Sequence, residues 1–518
     1  MATLSPLKVT IITCTAVVVV FKLPRWIRTI RRKGLKQIVV QKLSRFLLKF
    51  EYFKKQFDSK NEEAKESVQS VLLAHRENPI FTLPEHGLDP QIILERLHKW
   101  AERDLEFQKG GRISGAVYHG GKNLQLLAAE AMKSFTISNP LHPDIFPAVR
   151  QMESEIVQMT VNLFNGGPNA CGILTQGGTE SLLLAMLAYR EWGRRRGITE
   201  PEIIAPVTVH AAVEKAAFYF GMELVHVRMG PDYKVDIREV RRNITSNTVV
   251  IIGSAPNYAN GIIDDLQELG RLALRYKKNF HIDACLGGFL HPFLKEAGYD
   301  IPACDFSVPG VTSISCDPHK YGYTPKGVSC LMFANPELRK FSYFTSAGWT
   351  GGVYVTPTLS GSRTGCISAG AWATILSMGR NTYIECAKAI MDAASYIKRE
   401  IVKVPHLELM GDPVMSIIGF TSKTINIWAL VSIMSKIGGW GLNATQSPPG
   451  AHFCVTYANA SQAEQFIQDL YKAVEEVEKC ADMSAYQTCQ LYGLIAEFPD
   501  KTIIGDILTN YADCLFTA

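Results

Sequence analysis

The sequence lacks the features that define several specialised protein classes. Its 12 cysteines include no C-x-x-C pair, so neither a zinc site nor a disulfide framework is predicted. The formal net charge of its 518 residues is only +5, too balanced for nucleic acid to be the main partner. No internal repeat or low-complexity tract is visible, and 47% of the residues are hydrophobic. These absences leave a folded, globular protein without a structural metal as the expectation.

The sequence also lacks an uncharged run of the roughly 20 residues that a membrane-spanning helix needs. Residues 9–21 are uncharged and mostly apolar, but they number only thirteen. Residues 22–55 then carry twelve basic side chains against the single acid Glu51, whereas residues 56–518 have a net charge of −7. Positive charge after the run disfavours a signal peptide and favours a single N-terminal membrane anchor with a cytosolic body. A buried strand, and a segment that lies in the membrane without spanning it, remain alternatives.

Short apolar runs alternate with helical stretches after residue 150. The runs indicate strands at 203–209, 223–228, 249–252, 280–283 and 311–315. This alternation is typical of an α/β protein with a mostly parallel central sheet covered by helices, in which active groups lie where strands end.

From about residue 384 the pattern becomes that of a smaller α+β domain. We predict helices at 384–402, 430–437 and 461–478 and strands at 415–419, 424–428 and 451–456. The predicted organisation is therefore an anchor and basic neck (1–55), a helical wrapping segment (56–150), a large domain (151–383) and a small C-terminal domain (384–518).

Four segments carry residues suited to one kind of chemistry. In Thr175–Ser181, two glycines and Thr179 precede a helix, which suits a phosphate, although an ordinary turn and N-cap would have the same pattern. Asp283 ends an apolar strand, where a buried carboxylate needs a cationic partner. The alternative is that Asp283 only caps the next turn. His210 ends another strand, and Lys320 follows Pro318 and His319 in a loop.

Together these groups supply what pyridoxal phosphate requires from a protein. The cofactor needs a cradle for its phosphate, a carboxylate beside its pyridine nitrogen, a flat side chain over its ring and an amine for a Schiff base. A lysine alone in a loop would be a solvated surface group. The joint occurrence makes pyridoxal 5'-phosphate the predicted cofactor.

The sequence closely resembles the sphingosine-1-phosphate lyases of the fold-type-I pyridoxal-phosphate superfamily. The resemblance extends from about Ser114 to the C-terminus. It is carried by the segments Ser114–Tyr118, Ser138–Pro147, Phe164–Pro168, Gly177–Ser181, Asp283–Phe289 and Gly310–Ser315. One departure is Cys316-Asp-Pro-His319, where smaller residues usually precede the His-Lys pair.

The resemblance implies roles for individual residues. Lys320 would bind the cofactor covalently, Asp283 would pair with its pyridine nitrogen, and His210 would stack on its ring. Its phosphate would be held by Gly178, Thr179 and His319, and the substrate by Tyr118, Asn139, His142, Tyr323 and Lys326. For Asn139 and His142 a turn-stabilising pair is nearly as good an interpretation.

The implied reaction is a retro-aldol cleavage of phosphorylated sphingoid bases to a fatty aldehyde and phosphoethanolamine. The base that acts on the 3-hydroxyl is left open between Lys320, Tyr118, Tyr323 and a phosphate oxygen. Residues 350–366, with Gly361, Ser362 and Arg363, resemble a loop that completes the neighbouring subunit's pocket, which implies a homodimer. The resemblance also implies the endoplasmic reticulum membrane. The alternatives are a group II amino-acid decarboxylase and a catalytically inactive membrane scaffold.

Overall fold

A computed structural model describes residues 79–106, 111–479 and 501–516, with scattered positions between residues 39 and 69. The predicted anchor at residues 9–21 lies outside these residues. Within the described part of the chain, no helix has both the length and the apolar composition needed to cross a bilayer. The predicted membrane anchor stays a prediction.

The chain divides into two compact units. One contains residues 103–483, and the other contains the residues before 103 and after 483. The described helices of the second unit are α1 (Pro90–Glu106), which ends within the first unit, and α13 (Lys501–Cys514). All the predicted site residues belong to the first unit.

A seven-stranded sheet forms the centre of the larger unit. Its spatial order is β1-β7-β6-β5-β4-β2-β3, and β7 runs antiparallel to both of its neighbours while the other strands share one direction. The prediction of a mostly parallel sheet is confirmed. The strands are β1 (Cys171–Thr175), β2 (Glu202–Pro206), β3 (Glu223–Val227), β4 (Thr248–Ser254), β5 (Asn279–Asp283), β6 (Ser313–Cys316) and β7 (Ser329–Phe333).

Helices connect and cover these strands. Their buried faces are apolar: Leu182, Leu183 and Met186 of the helix after β1 pack into the same core as strands β2 and β4. The helices are α2 (Lys122–Ser134), α3 (Pro147–Leu163), α4 (Gly178–Arg194), α5 (Ala211–Phe220), α6 (Ile237–Asn243), α7 (Leu266–Tyr276), α8 (His291–Leu294) and α9 (Pro336–Lys340).

A second, four-stranded antiparallel sheet lies in the C-terminal part, after a two-stranded hairpin and a long helix. The hairpin consists of β8 (Phe344–Ser346) and β9 (Tyr354–Thr356), and α10 (Gly365–Ile401) is the long helix. The second sheet has the order β10-β11-β13-β12. Its elements are β10 (Glu408–Leu409), β11 (Ile417–Thr421), α11 (Ile427–Gly438), β12 (Asn443–Gln446), β13 (Pro449–Cys454) and α12 (Ala463–Lys479).

The strand predicted at residues 424–428 is wrong. Helix α11 begins there, because the side chain of Asn426 accepts hydrogen bonds from the backbone amides of Trp428 and Ala429 and caps the helix. The β-branched residues around Asn426 gave a misleading strand pattern. Residues 384–402, predicted as a separate helix, form the second half of α10, which already begins at Gly365. Within α10 one residue is non-helical, Gly379 (φ 59°, ψ 170°). The predicted domain boundaries stay predictions.

Candidate active site

A cavity of about 310 Å³ lies where the parallel strands β4 and β5 end. Tyr118, His210, Asp283 and Lys320 all line it. Side chains from the C-terminal sheet, among them Asn443, His452 and Cys454, line it as well. The fold therefore brings together four predicted site residues that are far apart in sequence. A larger cavity of about 1030 Å³, partly lined by α8 and α10, contains none of the predicted site residues.

Asp283 is the last residue of β5 and is 7% exposed. Its Oδ1 accepts a hydrogen bond from the backbone amide of Cys285 at 3.1 Å and one from Ser315 Oγ at 3.4 Å. A buried carboxylate at the carboxyl end of a parallel strand faces the cleft in which α/β proteins bind ligands. Its position suits a bond to a protonated ring nitrogen.

Lys320 follows β6, and its Nζ lies 3.0 Å from Asp317 Oδ2. Burial by itself would lower the pKa of Lys320, but the charge of Asp317, with further contributions from Cys285 and Asp283, raises the pKa above its ordinary value. Asp317 is buried, and its Oδ1 has no hydrogen-bond partner among the described residues. Sequence reasoning missed Asp317, although an acidic residue directly after a strand and three residues before Lys320 was a usable signal.

His210 is the N-cap residue of α5. Its Nδ1 accepts a hydrogen bond from the amide of Ala212 at 3.1 Å, which fixes the ring at the edge of the cavity. This contact holds the imidazole at the end of β2, in the position expected for a side chain that covers a flat ligand ring. The same contact also caps the helix.

The glycine pair forms the start of α4. Gly177 has φ +125°, a conformation that residues with a Cβ rarely adopt, and a Cβ on Gly178 would lie 2.7 Å from Asp317 Oδ2. A Cβ on Gly177 would lie 3.7 Å from the His319 ring. The exposed Thr179 follows at the same helix end. The structure thus groups Gly178, Thr179 and His319 around a helix N-terminus that suits a phosphate.

His319 is held from two sides. Its Nδ1 accepts from the amide of Val328 at 3.2 Å, and its Nε2 lies 3.5 Å from Asp317 Oδ2. Burial lowers the pKa of His319 despite the nearby carboxylate. A neutral His319 that accepts at Nδ1 carries its proton on Nε2, on the side of the ring that faces Asp317.

Tyr118 and Lys326 lie against each other. Lys326 Nζ is 4.7 Å from the centre of the Tyr118 ring and donates to the carbonyl oxygen of His319 at 3.1 Å. The Tyr118 ring packs edge to face on Tyr321 at 4.9 Å. Burial, with the nearby Cys454 and Asp317, raises the pKa of Tyr118 well above its ordinary value. Tyr118 lines the cavity itself, whereas Lys326 does not.

Three other predicted substrate residues lie outside the lining of the cavity. Tyr323, at φ +60°, packs between the rings of His119 and Tyr383. The Oδ1 of Asn139 accepts from the amides of Leu141 at 3.1 Å and Arg363 at 3.2 Å, and His142 is exposed. Within one chain, these contacts favour a turn-stabilising role for Asn139.

The residues present fit pyridoxal 5'-phosphate. The cavity holds an amine, a carboxylate and an imidazole, and a glycine-lined helix N-terminus adjoins Asp317 beside Lys320. Thr208 Oγ1 also lines the cavity region, is buried, and has no hydrogen-bond partner in the described part of the chain. A polar ligand with an aromatic ring and an anionic group would satisfy these side chains. Within the described residues no cluster could hold a metal ion.

Comparison with known proteins identifies the family. Residues 110–423 match the model of the pyridoxal-dependent decarboxylase conserved domain. Sphingosine-1-phosphate lyase 1 of Rattus norvegicus is 43% identical over 441 residues, which cover 85% of this chain and 77% of the relative. The lyase of Saccharomyces cerevisiae is 42% identical over 487 residues, covering 92% and 82%. The chain belongs to the sphingosine-1-phosphate lyase family.

Solved structures agree with this membership. The sphingosine-1-phosphate lyase of Burkholderia pseudomallei superposes with a TM-score of 0.76 at 38% identity, covering 83% of this chain and 98% of that one. A glutamate decarboxylase of Lactobacillus brevis has a TM-score of 0.68 at 22% identity, which shows the shared fold. The predictions of the lyase family, of a carbon–carbon lyase and of pyridoxal phosphate as cofactor are confirmed.

Proposed function

We propose that this member of the lyase family cleaves phosphorylated sphingoid bases, such as sphingosine and sphinganine 1-phosphate, to a long-chain aldehyde and phosphoethanolamine. The observation that carries the proposal is the convergence of Lys320, Asp283 and His210 on one cavity beside a glycine cradle, in a chain that is 43% identical to a lyase of this name.

Six residues would hold the cofactor. Lys320 would bind its carbonyl carbon, Asp283 its ring nitrogen and His210 its ring face, while the amides of Gly178 and Thr179 and the ring of His319 would bind its phosphate. When bound, pyridoxal phosphate supplies the electron sink for the bond that breaks. Asp283 would place its carboxylate beside the ring nitrogen, and Asp317 Oδ2 lies 3.0 Å from the amine of Lys320.

Tyr118 and Lys326 would act on the substrate. Because the pKa of Tyr118 is raised well above its ordinary value, its phenol keeps its proton near neutral pH and serves as a hydrogen-bond donor. Lys326, 4.7 Å from that ring, offers a cation for the substrate phosphate. These two residues favour a phosphorylated substrate over an amino acid, which is the substrate of the related decarboxylases.

Product analysis tests this proposal. Purified protein reconstituted with pyridoxal phosphate should convert sphinganine 1-phosphate to hexadecanal and phosphoethanolamine, measured by mass spectrometry. A parallel incubation with amino acids should yield no carbon dioxide. If carbon dioxide is formed and no aldehyde, the chain is a decarboxylase. Lys320→Ala is the matched inactive control, because it removes only the reacting amine.

A homodimer is part of the proposal. The hairpin region near residues 350–366 exposes large apolar side chains: Trp349 is 57% and Val353 85% exposed. Exposed apolar clusters of this kind are typical of interaction surfaces. Arg363 of the same region forms a two-point ion pair with Glu153, both distances 2.8 Å, which fixes the end of the loop. Sedimentation of the wild-type chain should give twice the monomer mass, and Val353→Asp should reduce it.

Membrane association is the last part of the proposal. The basic stretch at residues 22–55 and the apolar run before it suit a membrane surface, from which a substrate with an apolar tail and an anionic head is drawn. The family resemblance supports the endoplasmic reticulum and a cytosolic body. Fractionation of cells that express the tagged chain would test this location.

A further inference from the structure

A set of buried polar side chains lies directly behind Asp283. On strands β5 and β6, His281 is paired in register with Ser313, and Asp283 with Ser315. Side chains two residues apart on a strand point to the same face, so these four residues form one polar patch in the sheet. His281, Ser313 and Ser315 are completely buried.

Hydrogen bonds join the patch into a chain of contacts. Ser315 Oγ lies 3.4 Å from Asp283 Oδ1 and 3.2 Å from His281 Nε2. On the other side of the ring, His281 Nδ1 lies 2.7 Å from Ser313 Oγ, which also contacts the hydroxyl of Tyr189. Tyr189 belongs to α4, the helix that begins at the glycine cradle. The polar chain therefore connects Asp283 to the helix that would hold the cofactor phosphate.

The charge of Asp283 sets the direction of these hydrogen bonds. A carboxylate only accepts, so the hydroxyl of Ser315 gives its hydrogen to Asp283. Ser315 Oγ then accepts from Nε2–H of His281, and Nδ1 accepts from Ser313, which accepts from Tyr189. Burial lowers the pKa of His281 to about 4, so the ring is neutral and carries one proton. In this arrangement Ser315, His281, Ser313 and Tyr189 each donate one hydrogen bond along the chain, and Asp283 only accepts.

The free-energy cost of burying these polar side chains indicates that they have a function. Burying hydroxyl and imidazole groups is unfavourable unless all of them are paired, and apolar side chains would fill a sheet interior at lower cost. The neighbouring strand residues Phe280, Ile282 and Ile314 are apolar and completely buried. Apart from Asn279 at the start of β5, the buried side chains of β5 and β6 that carry nitrogen or oxygen are those of the two cross-strand pairs Asp283–Ser315 and His281–Ser313.

We propose that His281 is a positioning residue for Asp283. With its proton on Nε2, it holds the hydroxyl of Ser315 in the direction that donates to Asp283 Oδ1, which leaves the other carboxylate oxygen for the ring nitrogen of the cofactor. This inference rests on the proposed function, in which Asp283 binds that nitrogen.

Two measurements on the holoenzyme test the inference: the dissociation constant of pyridoxal phosphate, and the ¹⁵N chemical shift of cofactor labelled at the ring nitrogen. Ser315→Ala and His281→Leu should weaken cofactor binding by about tenfold, as for the loss of one hydrogen bond to a charged group. Both should move the ¹⁵N signal toward the unprotonated value. His281→Gln, whose amide can donate in place of Nε2–H, should restore most of both.

Controls separate positioning from structure. Thr374→Ala removes an equally buried hydroxyl that donates to Gly370 O at 2.7 Å, and it should leave affinity and shift unchanged. Asp283→Asn sets the size of the full effect. If Asp283→Asn moves the ¹⁵N signal but Ser315→Ala and His281→Leu do not, the inference is overturned and the proposed function stands. If Asp283→Asn does not move it, the proposed role of Asp283 fails.

A third measurement is made on the wild-type holoenzyme and needs a substituted chain only to assign its signals. The ¹⁵N shifts of His281 in the wild-type holoenzyme should show a protonated Nε2 and an unprotonated Nδ1. The signals can be assigned by their loss in His281→Gln. A proton on Nδ1 would reverse the chain of hydrogen bonds and would overturn the inference.

Discussion

Asp317 controls how readily Lys320 gives up its proton. Its carboxylate lies 3.0 Å from Lys320 Nζ and raises the pKa of this lysine, whereas a Schiff base forms only from the neutral amine. Asp317→Asn should therefore lower the pKa of Lys320 and speed the binding of pyridoxal phosphate to the apoenzyme near neutral pH. The measurement is the rate at which the visible band of the bound cofactor appears, followed as a function of pH.

The expected shift in that profile has a definite sign. A lower pKa of Lys320 means that the rate begins to rise at a lower pH than in the wild type. Asp305→Asn is the control, because Asp305 is also a buried carboxylate but accepts its hydrogen bonds from Asn165 and Ser307. An unchanged profile in Asp317→Asn would mean that another group sets the pKa of Lys320.

Lys326 separates substrate binding from cofactor binding. Its Nζ lies beside Tyr118 and donates only to the carbonyl oxygen of His319 among the hydrogen bonds found in the described residues. Lys326→Met should raise KM for sphinganine 1-phosphate by roughly ten- to a hundredfold, the range for a lost hydrogen bond to a charged group.

The visible spectrum of the bound cofactor should not change in Lys326→Met. Lys340→Met, which removes an exposed lysine paired with Glu337 on α9, should change neither KM nor the spectrum. A Lys326→Met variant that loses cofactor at the wild-type KM would contradict the assignment of Lys326 to the substrate.

At the scale of elements, the N-terminus of α4 must remain free of a side chain at its first residue. A Cβ on Gly178 would lie 2.7 Å from Asp317 Oδ2 and 3.0 Å from Cys285 Sγ. We expect Gly178→Ala to weaken pyridoxal phosphate binding by at least about tenfold, because the phosphate loses contact with the helix amides. Spectroscopic titration of the apoenzyme measures this loss.

Gly167→Ala is the matched control for this substitution. A Cβ on Gly167 meets nothing within 4 Å, so the same change of composition introduces no collision there. Equal affinities in the two variants would show that the glycine cradle does not bind the phosphate. Thermal unfolding of both apoenzymes would show whether Gly178→Ala acts through the site or through the fold.

Elements with a strong local pattern were predictable from the sequence. Strand β4 is an apolar run that ends at Ser254, and Asp283 could be placed because it ends the short, mainly buried run of β5. No strand was predicted at β1 or at β7. Strand β7 pairs with both β1 and β6, and these nonlocal pairings leave no periodic pattern in the sequence.

The same distinction applies to the site. Lys320 and His210 were predictable because each follows a strand, a position typical of ligand-binding residues in α/β proteins. His281 and Asp317 were missed because their importance depends on which strand and which helix lie beside them. His281 acquires its partners only when β6 pairs with β5, and Asp317 only when Lys320 folds back toward it.

At the scale of the whole molecule, charge is distributed unevenly along the chain. Residues 22–55 carry twelve basic side chains and one acid, whereas residues 56–518 have a net charge of −7. We therefore expect the full chain to bind vesicles that contain anionic phospholipid, since each basic residue near such a surface contributes about 1 kcal/mol. Co-sedimentation with vesicles measures this binding.

Variants of the basic stretch show whether vesicle binding depends on charge or on insertion of the apolar run. Replacement of Arg31, Arg32 and Lys33 by glutamate should reduce vesicle binding and its sensitivity to salt, because the attraction is screened within about 10 Å at 0.1 M salt. Turnover of substrate dispersed in detergent should stay at the wild-type rate, since the cavity residues lie elsewhere in the chain. Undiminished, salt-insensitive binding of this variant would instead assign the attachment to the apolar run at residues 9–21.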